Sequence, residues 1–149
     1  MTRPLSKARL SLWLRLLKST RQIESEIRER FRREFATTLP RFDVMAALDR
    51  HRDGLKMSAL SDALMVSNGN VTGIIDWLAR HGLVERIAKP GDRRVSLVRL
   101  TEKGRSEFAR QAAAHEAWVN ELLAGFDGQE ADQLNACLES AIGKMEEKA

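Results

Sequence analysis

The chain lacks most of what catalysis, metal binding or membrane insertion would require. Its one cysteine, Cys137, has no partner for an intrachain disulfide, which points to a reducing compartment. No apolar run approaches the ~20 residues of a membrane span. The N-terminus has no uninterrupted apolar segment of the kind found in secretory signals, so the expected location is the cytoplasm. The three histidines, His51, His81 and His115, are far apart, and no Cys or His pair has ligand spacing. There is no Gly-rich phosphate loop, nucleophile elbow or His-Glu cluster, and Asp and Glu are scattered over solvated helix faces. There are no repeats or low-complexity tracts. These absences argue against an enzyme, a metal sensor and a membrane protein, and no cofactor is expected.

What is present fits a single domain. The 149 residues are 43% hydrophobic, enough for a sizeable core. The charge is unevenly placed. Residues 1–50 carry 12 basic and 6 acidic side chains, residues 51–106 carry 10 and 6, and residues 107–149 carry 3 and 9. A basic front and an acidic end suit a polyanionic partner on one face and protein contacts elsewhere.

The organising stretch runs from Ser58 to Thr101. It reads as a helix from Ser58 to Met65, a tight turn, a second helix to His81, and a basic hairpin. Ser58 is the expected N-cap of the first helix, and Ser67 or Asn68 that of the second. Val71, Ile74, Ile75 and Leu78 recur at helical spacing and form a burying stripe. Gly82 is placed to end the helix in the left-handed region. Ser67, Asn68, Asn70, Val71 and Thr72 then occupy the start of the helix, where helix-turn-helix proteins reach base edges. Taken alone, these residues are better explained as caps and surface polarity.

The hairpin shifts that balance. Val84 to Ala88 reads as a strand, and Lys89-Pro90-Gly91-Asp92 as a type II turn with Gly91 at its positive-φ position. The return strand runs from Arg93 to Leu100. The tip therefore carries Lys89, Arg93 and Arg94, with Asp92 placed to orient one arginine. A two-stranded ribbon is marginal alone; directly after a helix-turn-helix, a cationic one points to DNA.

Helix-turn-helix, then Gly82-Leu83-Val84-Glu85-Arg86, then Asp92-Arg93-Arg94, then Leu100-Thr101-Glu102-Lys103-Gly104 resembles the MarR family of bacterial transcriptional regulators over nearly the whole chain. The resemblance implies a mainly α (α+β) fold, a winged helix-turn-helix with a helical dimerisation region. Residues 37–101 would form the DNA-binding lobe, and residues 1–36 and 102–149 the dimerisation region. Arg94 matches the wing arginine that enters the minor groove, Asp92 the acid that orients it, and Asn68 to Trp77 the recognition helix. A homodimer would bind a pseudo-palindromic operator in double-stranded DNA, acting as a repressor released by a small molecule.

The flanking segments agree with that plan. Residues 5–36 read as a long helix whose N-terminal end, with Leu5, Leu10, Leu12, Trp13, Leu14 and Leu17, is apolar on several sides and needs cover from another subunit. Pro40 opens the second helix. Thr101 caps a helix from Glu102 to Phe126, whose Phe108, Ala112, His115, Val119, Leu122 and Phe126 repeat at heptad spacing. A last helix starts at Asp127 or Gly128, with Leu134, Cys137 or Leu138, Ala141 and Met145 as its stripe. Cys137 is expected to be buried there, which argues against a redox sensor.

For an effector, Trp13, Leu16 and Leu17 with Phe42, Met45, His115 and Trp118 are candidate pocket walls, and Arg9, Arg15 or Arg41 candidate partners for an anionic group. Each is equally well read as core or ordinary surface. The resemblance implies an aromatic carboxylate. Leu39-Pro40-Arg41-Phe42-Asp43 resembles the subgroup that controls hydroxycinnamate degradation, where the effector is an aryl-CoA thioester. The alternatives are a redox- or metal-responsive winged-helix regulator, or a DNA-binding protein without an effector.

Overall fold

A computed structural model of the chain describes residues 2–64 and 68–148. These form α1 (Leu5–Phe35), α2 (Leu39–Arg50), α3 (Met57–Leu64), α4 (Asn68–Arg80), β1 (Val84–Lys89), β2 (Asp92–Leu100), α5 (Glu102–Leu122) and α6 (Gly128–Glu147). The chain divides into two compact units, residues 1–116 and 117–149. The fold is mainly helical with one two-stranded antiparallel sheet.

The first unit is built around α2. Thr38 caps it, its side chain accepting from the Arg41 N–H, and Pro40 sits in the first turn, where a missing N–H costs nothing. Val44, Met45, Ala47 and Leu48 form one core with Leu60, Val71, Ile75, Leu78, Leu83, Val84, Val98 and Leu100. The core thus joins α2, the helix-turn-helix and the base of the hairpin, so α4 and the hairpin share one support. On the other side of α2, Phe42 lies 4.8 Å from Phe31, 5.4 Å from Phe108 and 4.8 Å from His115, ring centre to ring centre.

The hairpin has a third backbone partner that the sequence reading missed. Leu55 exchanges two hydrogen bonds with Val98, at 2.9 and 2.8 Å. Gly54, at φ +107, makes this possible: an added Cβ would lie 3.1 Å from both the Leu97 Cβ and the Val98 carbonyl oxygen. Strand pairing runs from Val84↔Leu100 to Ala88↔Ser96 and shifts before Lys89↔Asp92.

A junction of backbone carbonyls joins the end of α4, the hairpin base and the start of α5. The Thr101 hydroxyl donates to the Gly82 carbonyl at 2.6 Å and accepts from the Gly104 N–H at 3.0 Å. The Thr101 N–H donates to the Leu83 carbonyl at 3.0 Å. Gly82 has φ +72, the left-handed conformation expected after the last helical turn. A Cβ on Gly104 would fall on the Leu83 carbonyl, which explains the glycine of the Leu-Thr-x-x-Gly segment.

Several boundaries differ from expectation. Helix α3 begins at Met57, so Ser58 lies inside it and is not its cap. Asn68 is the first residue of α4 rather than its cap, and Ser67 and Met65 lie outside the described residues. Helix α5 stops at Leu122, not Phe126. The Ala124 and Phe126 N–H groups bond three residues back, to Glu121 and Leu123, a tightened turn that runs into Gly125, a poor helix former. Asp127 caps α6 in a reciprocal box with Glu130.

In α1 only Ile27 and Phe31 are buried, while Leu5, Leu10, Leu12, Trp13 and Leu14 are at least half exposed. In the second unit no residue of α6 is buried, and Leu134, Leu138, Ile142 and Met145 are exposed. Cys137 is exposed as well, contrary to expectation, because the apolar stripe that carries it is uncovered in a single chain. Among the described residues no helix is long and apolar enough to cross a membrane.

Two predictions follow from this packing. Replacing Gly104→Ala places a methyl against backbone that cannot step aside, and destabilises the fold by about 1–3 kcal/mol or more, read as a lowered Tm. Burial pushes the His115 pKa below its ordinary value of 6.5, so the fold favours the neutral ring. The unfolded chain then binds the proton more readily. This contribution is fully present above the unfolded pKa and is lost as pH falls through it toward the folded value. Between pH 7.5 and 5.5 the Tm should drop more for the native protein than for His115→Phe; equal drops would reject the assignment.

Candidate nucleic-acid interface

Helix α4 divides cleanly into two faces. Val71, Ile75 and Leu78 are almost fully buried, whereas Asn70, Thr72 and Gly73 are exposed. Val71 therefore belongs to the core and does not offer its side chain to DNA, contrary to its place in the sequence-derived set; spacing of 4 and 7 to Ile75 and Leu78 puts it on their stripe. Asn70 and Thr72 remain in the first turn and a half of the exposed face. Ser67 and the Asn68 side chain lie outside the described part of the structure.

The C-terminal end of α4 is pinned. The His81 Nδ1–H donates to the Trp77 carbonyl at 2.8 Å, and the two rings stack at 3.7 Å. Trp77 also carries the Arg41 guanidinium, 3.8 Å from its ring centre. Asp76 reaches β1, accepting from Arg86 at 2.6 Å. Both side chains of that pair are about half exposed, so it adds little stability; its effect is to set the hairpin against α4. Glu85 and Arg99 pair across the strands at 2.7 Å.

At the hairpin tip Gly91 has φ +86, as a type II turn requires at that position. Asp92 accepts from the Arg94 backbone N–H at 3.1 Å and from its Nε at 3.3 Å. The Arg94 side chain is 92% exposed. Because Asp92 engages Nε, the terminal nitrogens of the guanidinium are not consumed by the pair. Lys89 and Arg93 are exposed beside it. The ribbon thus presents three cations, one of them held in orientation by its own loop.

A cleft of about 420 Å³ adjoins α4, lined by Arg28, Thr38, Pro40, Arg41, Asn70, Gly73 and Ile74. It brings together Asn70 and Arg41, which the sequence reading had assigned to different sites. Arg28, Thr38, Pro40 and Gly73 were missed, since only the fold brings α1, the start of α2 and α4 side by side.

The other candidate pocket residues are dispersed. Arg9, Trp13 and Leu16 are exposed on α1, and Leu17 is half-buried. Phe42 and Met45 are buried in tight packing, with His115 against Phe42. Trp118, in the second unit, is buried. Among the described residues no group of three or more His, Cys, Asp or Glu could hold a metal ion.

An exposed helix turn bearing Asn and Thr, supported on the same core as a cationic two-stranded ribbon, defines a winged helix-turn-helix protein. The MarR family model matches residues 37–96. A MarR family transcriptional regulator from Silicibacter pomeroyi is 30% identical and superposes with a TM-score of 0.80, over 97% of this chain and 99% of that one. The chain belongs to the MarR family. Two more distant structures share the fold. A mutant MarR from E. coli complexed with operator DNA is 21% identical, with a TM-score of 0.76 over 93% of this chain and 99% of that one. CouR from Rhodococcus jostii RHA1 bound to p-coumaroyl-CoA is 19% identical, with a TM-score of 0.77 over 94% and 95%. Curated HTH-type transcriptional regulators from Bacillus subtilis and Dickeya dadantii match at 30–32% identity, the chain spanning 49–60% of their length.

Proposed function

We propose that this protein is a transcriptional regulator that binds double-stranded operator DNA as a homodimer and represses by occupying it. The observation that carries the reading is the pairing of an exposed α4 turn with an Asp92-oriented Arg94 on one rigid support. Asn70 and Thr72 have the donors and acceptors to read base edges in the major groove. Lys89, Arg93 and Arg94 supply the ribbon's contacts, and the acidic balance of residues 107–149 disfavours contact of that segment with DNA.

A dimer is supported by the apolar N-terminal half of α1 and the apolar stripe of α6, both exposed in the single chain. Residues 1–36 and 102–149 would supply the dimerisation region around a lobe of residues 37–101. A two-fold axis sets two recognition helices about one DNA turn, roughly 34 Å, apart and so selects a pseudo-palindrome. The site of action is the cytoplasm.

For the effector we propose an aromatic carboxylate or its CoA thioester. Support comes from the relative that shares this fold and holds p-coumaroyl-CoA. Release requires only that the ligand bind the DNA-incompetent arrangement of the two lobes better than the competent one.

Fluorescence anisotropy with a duplex from the protein's own upstream region tests both parts. Arg94→Ala should weaken binding by roughly tenfold to a hundredfold, as loss of a charged hydrogen-bonding group does. Folding and dimerisation should be unaffected, because the Arg94 side chain is 92% exposed. Unchanged affinity would remove the ribbon from the interface. Titrating p-coumaroyl-CoA and p-coumarate into the wild-type complex should release DNA with one of them; retention with both would reject this effector class.

A further inference from the structure

The cleft beside α4 contains none of the ribbon's residues, and its chemistry suits an anion. Arg41 is half-buried, and among the described residues it makes no ion pair. Its guanidinium rests on Trp77, and burial, followed by the charge of Arg80, lowers its pKa. A partly desolvated cation without a counter-charge is stabilised by any anion that reaches it. Arg28, from α1, is restrained by Glu24 one turn away at 3.6 Å, with 52% of its side chain exposed, a contact of surface-pair strength. Thr38 adds a hydroxyl, and at Gly73 an added Cβ would meet nothing within 4 Å, so the α4 side of the cleft is open to a close approach.

Asn70 indicates whose anion this is. It lines the cleft and also lies in the turn proposed to face base edges. A helix about 10–12 Å across, seated in a major groove about 12 Å wide, has its flanks against the sugar-phosphate walls. We infer that the cleft seats a backbone phosphate of the bound duplex, with Arg41 and Arg28 as its cationic contacts and Thr38 as a hydroxyl donor. This rests on the DNA reading above and extends it: α4 is held on the duplex by a phosphate contact of its own, distinct from the ribbon tip. Such a contact fixes the register of the helix without reading sequence.

The test measures operator and unrelated-duplex affinities across a salt series for wild type, Arg41→Gln, Arg28→Gln and Arg94→Ala, with circular dichroism as a check on folding. Each cleft variant should lower the slope of log K against log salt by about 1. Each should weaken both duplexes by the same factor, roughly tenfold. A folded Arg41→Gln and a folded Arg28→Gln with wild-type slopes, alongside a weakened Arg94→Ala, would overturn the phosphate seat and leave the DNA reading intact. If Arg41→Gln does not fold, the exposed Arg28→Gln decides alone. Inorganic pyrophosphate added at fixed ionic strength separates the two sources of anion. Displacement of wild-type protein from DNA, with slopes unchanged in the cleft variants, would assign the seat to a free anion and overturn the inference. Absence of salt-sensitive binding to any duplex by wild type would reject the DNA reading itself.

Discussion

The structure depends on how three backbone carbonyl and amide groups are satisfied where α4, the hairpin and α5 meet. Thr101 bonds both the Gly82 and the Leu83 carbonyls, through its hydroxyl and its N–H respectively, and its hydroxyl also accepts from Gly104. Lys103 adds a bond from Nζ to the His81 carbonyl at 2.9 Å. The last carbonyls of α4 are satisfied by the N–H groups of residues 81–83. This leaves the carbonyls of those three residues as buried or turn acceptors that need donors of their own, and the start of α5 supplies them. The direction of the hairpin relative to α4 is thereby set by hydrogen bonds that are costly to leave unmade, rather than by side-chain packing alone.

That junction has consequences for both the hairpin and the exposed face of α4. The hairpin is too small to be stable by itself, but it has Leu55 along one edge, the core beneath Val98 and Leu100, and Asp76–Arg86 as a strut to α4. Its tip is left without comparable anchorage: among the described residues Arg94 is tethered only through Asp92, an exposed pair of little strength. A rigid base with an exposed charged tip is an arrangement suited to entering a narrow groove, where an arginine gains from the concentrated negative potential. The cleft on α4 has the complementary character, a half-buried guanidinium held by Trp77 and by the pinned end of its helix. One cation is solvent-exposed and oriented by its own loop, the other half-buried against an aromatic ring.

The sequence was informative where a residue's role depends on its immediate neighbours. The Pro90-Gly91 turn and the Gly82 helix end involve groups a few residues apart, so spacing specifies them. Spacing also paired Asp92 with one of the tip arginines and narrowed the start of α6 to Asp127 or Gly128, while the choice of Arg94 came from the family resemblance. The stripe of α4 was legible for the same reason, although periodicity counted Val71 both as core and as a surface contact, and only burial separates the two. Ser58 was misassigned because a serine near a helix start satisfies the capping pattern at several registers, and the end of α5 was overrun because a heptad repeat continued past the point where Gly125 stops the helix.

By itself, then, the sequence determined the order of elements, the family motif, the wing chemistry and the uneven distribution of charge, each a matter of local pattern or composition. Tertiary structure decided what depends on segments distant in the chain. It paired Leu55 with Val98 and required Gly54 and Gly104 to lack side chains. It buried Met45 in the main core and Phe42 against Phe31 on the other side of α2, with His115 half-buried on Phe42, where the sequence had offered all three as pocket walls, and it left Cys137 exposed. It also placed Arg28, Arg41 and Asn70 around one cleft. No spacing rule links residues 28, 41 and 70, because their proximity follows from the packing of α1, α2 and α4 in three dimensions.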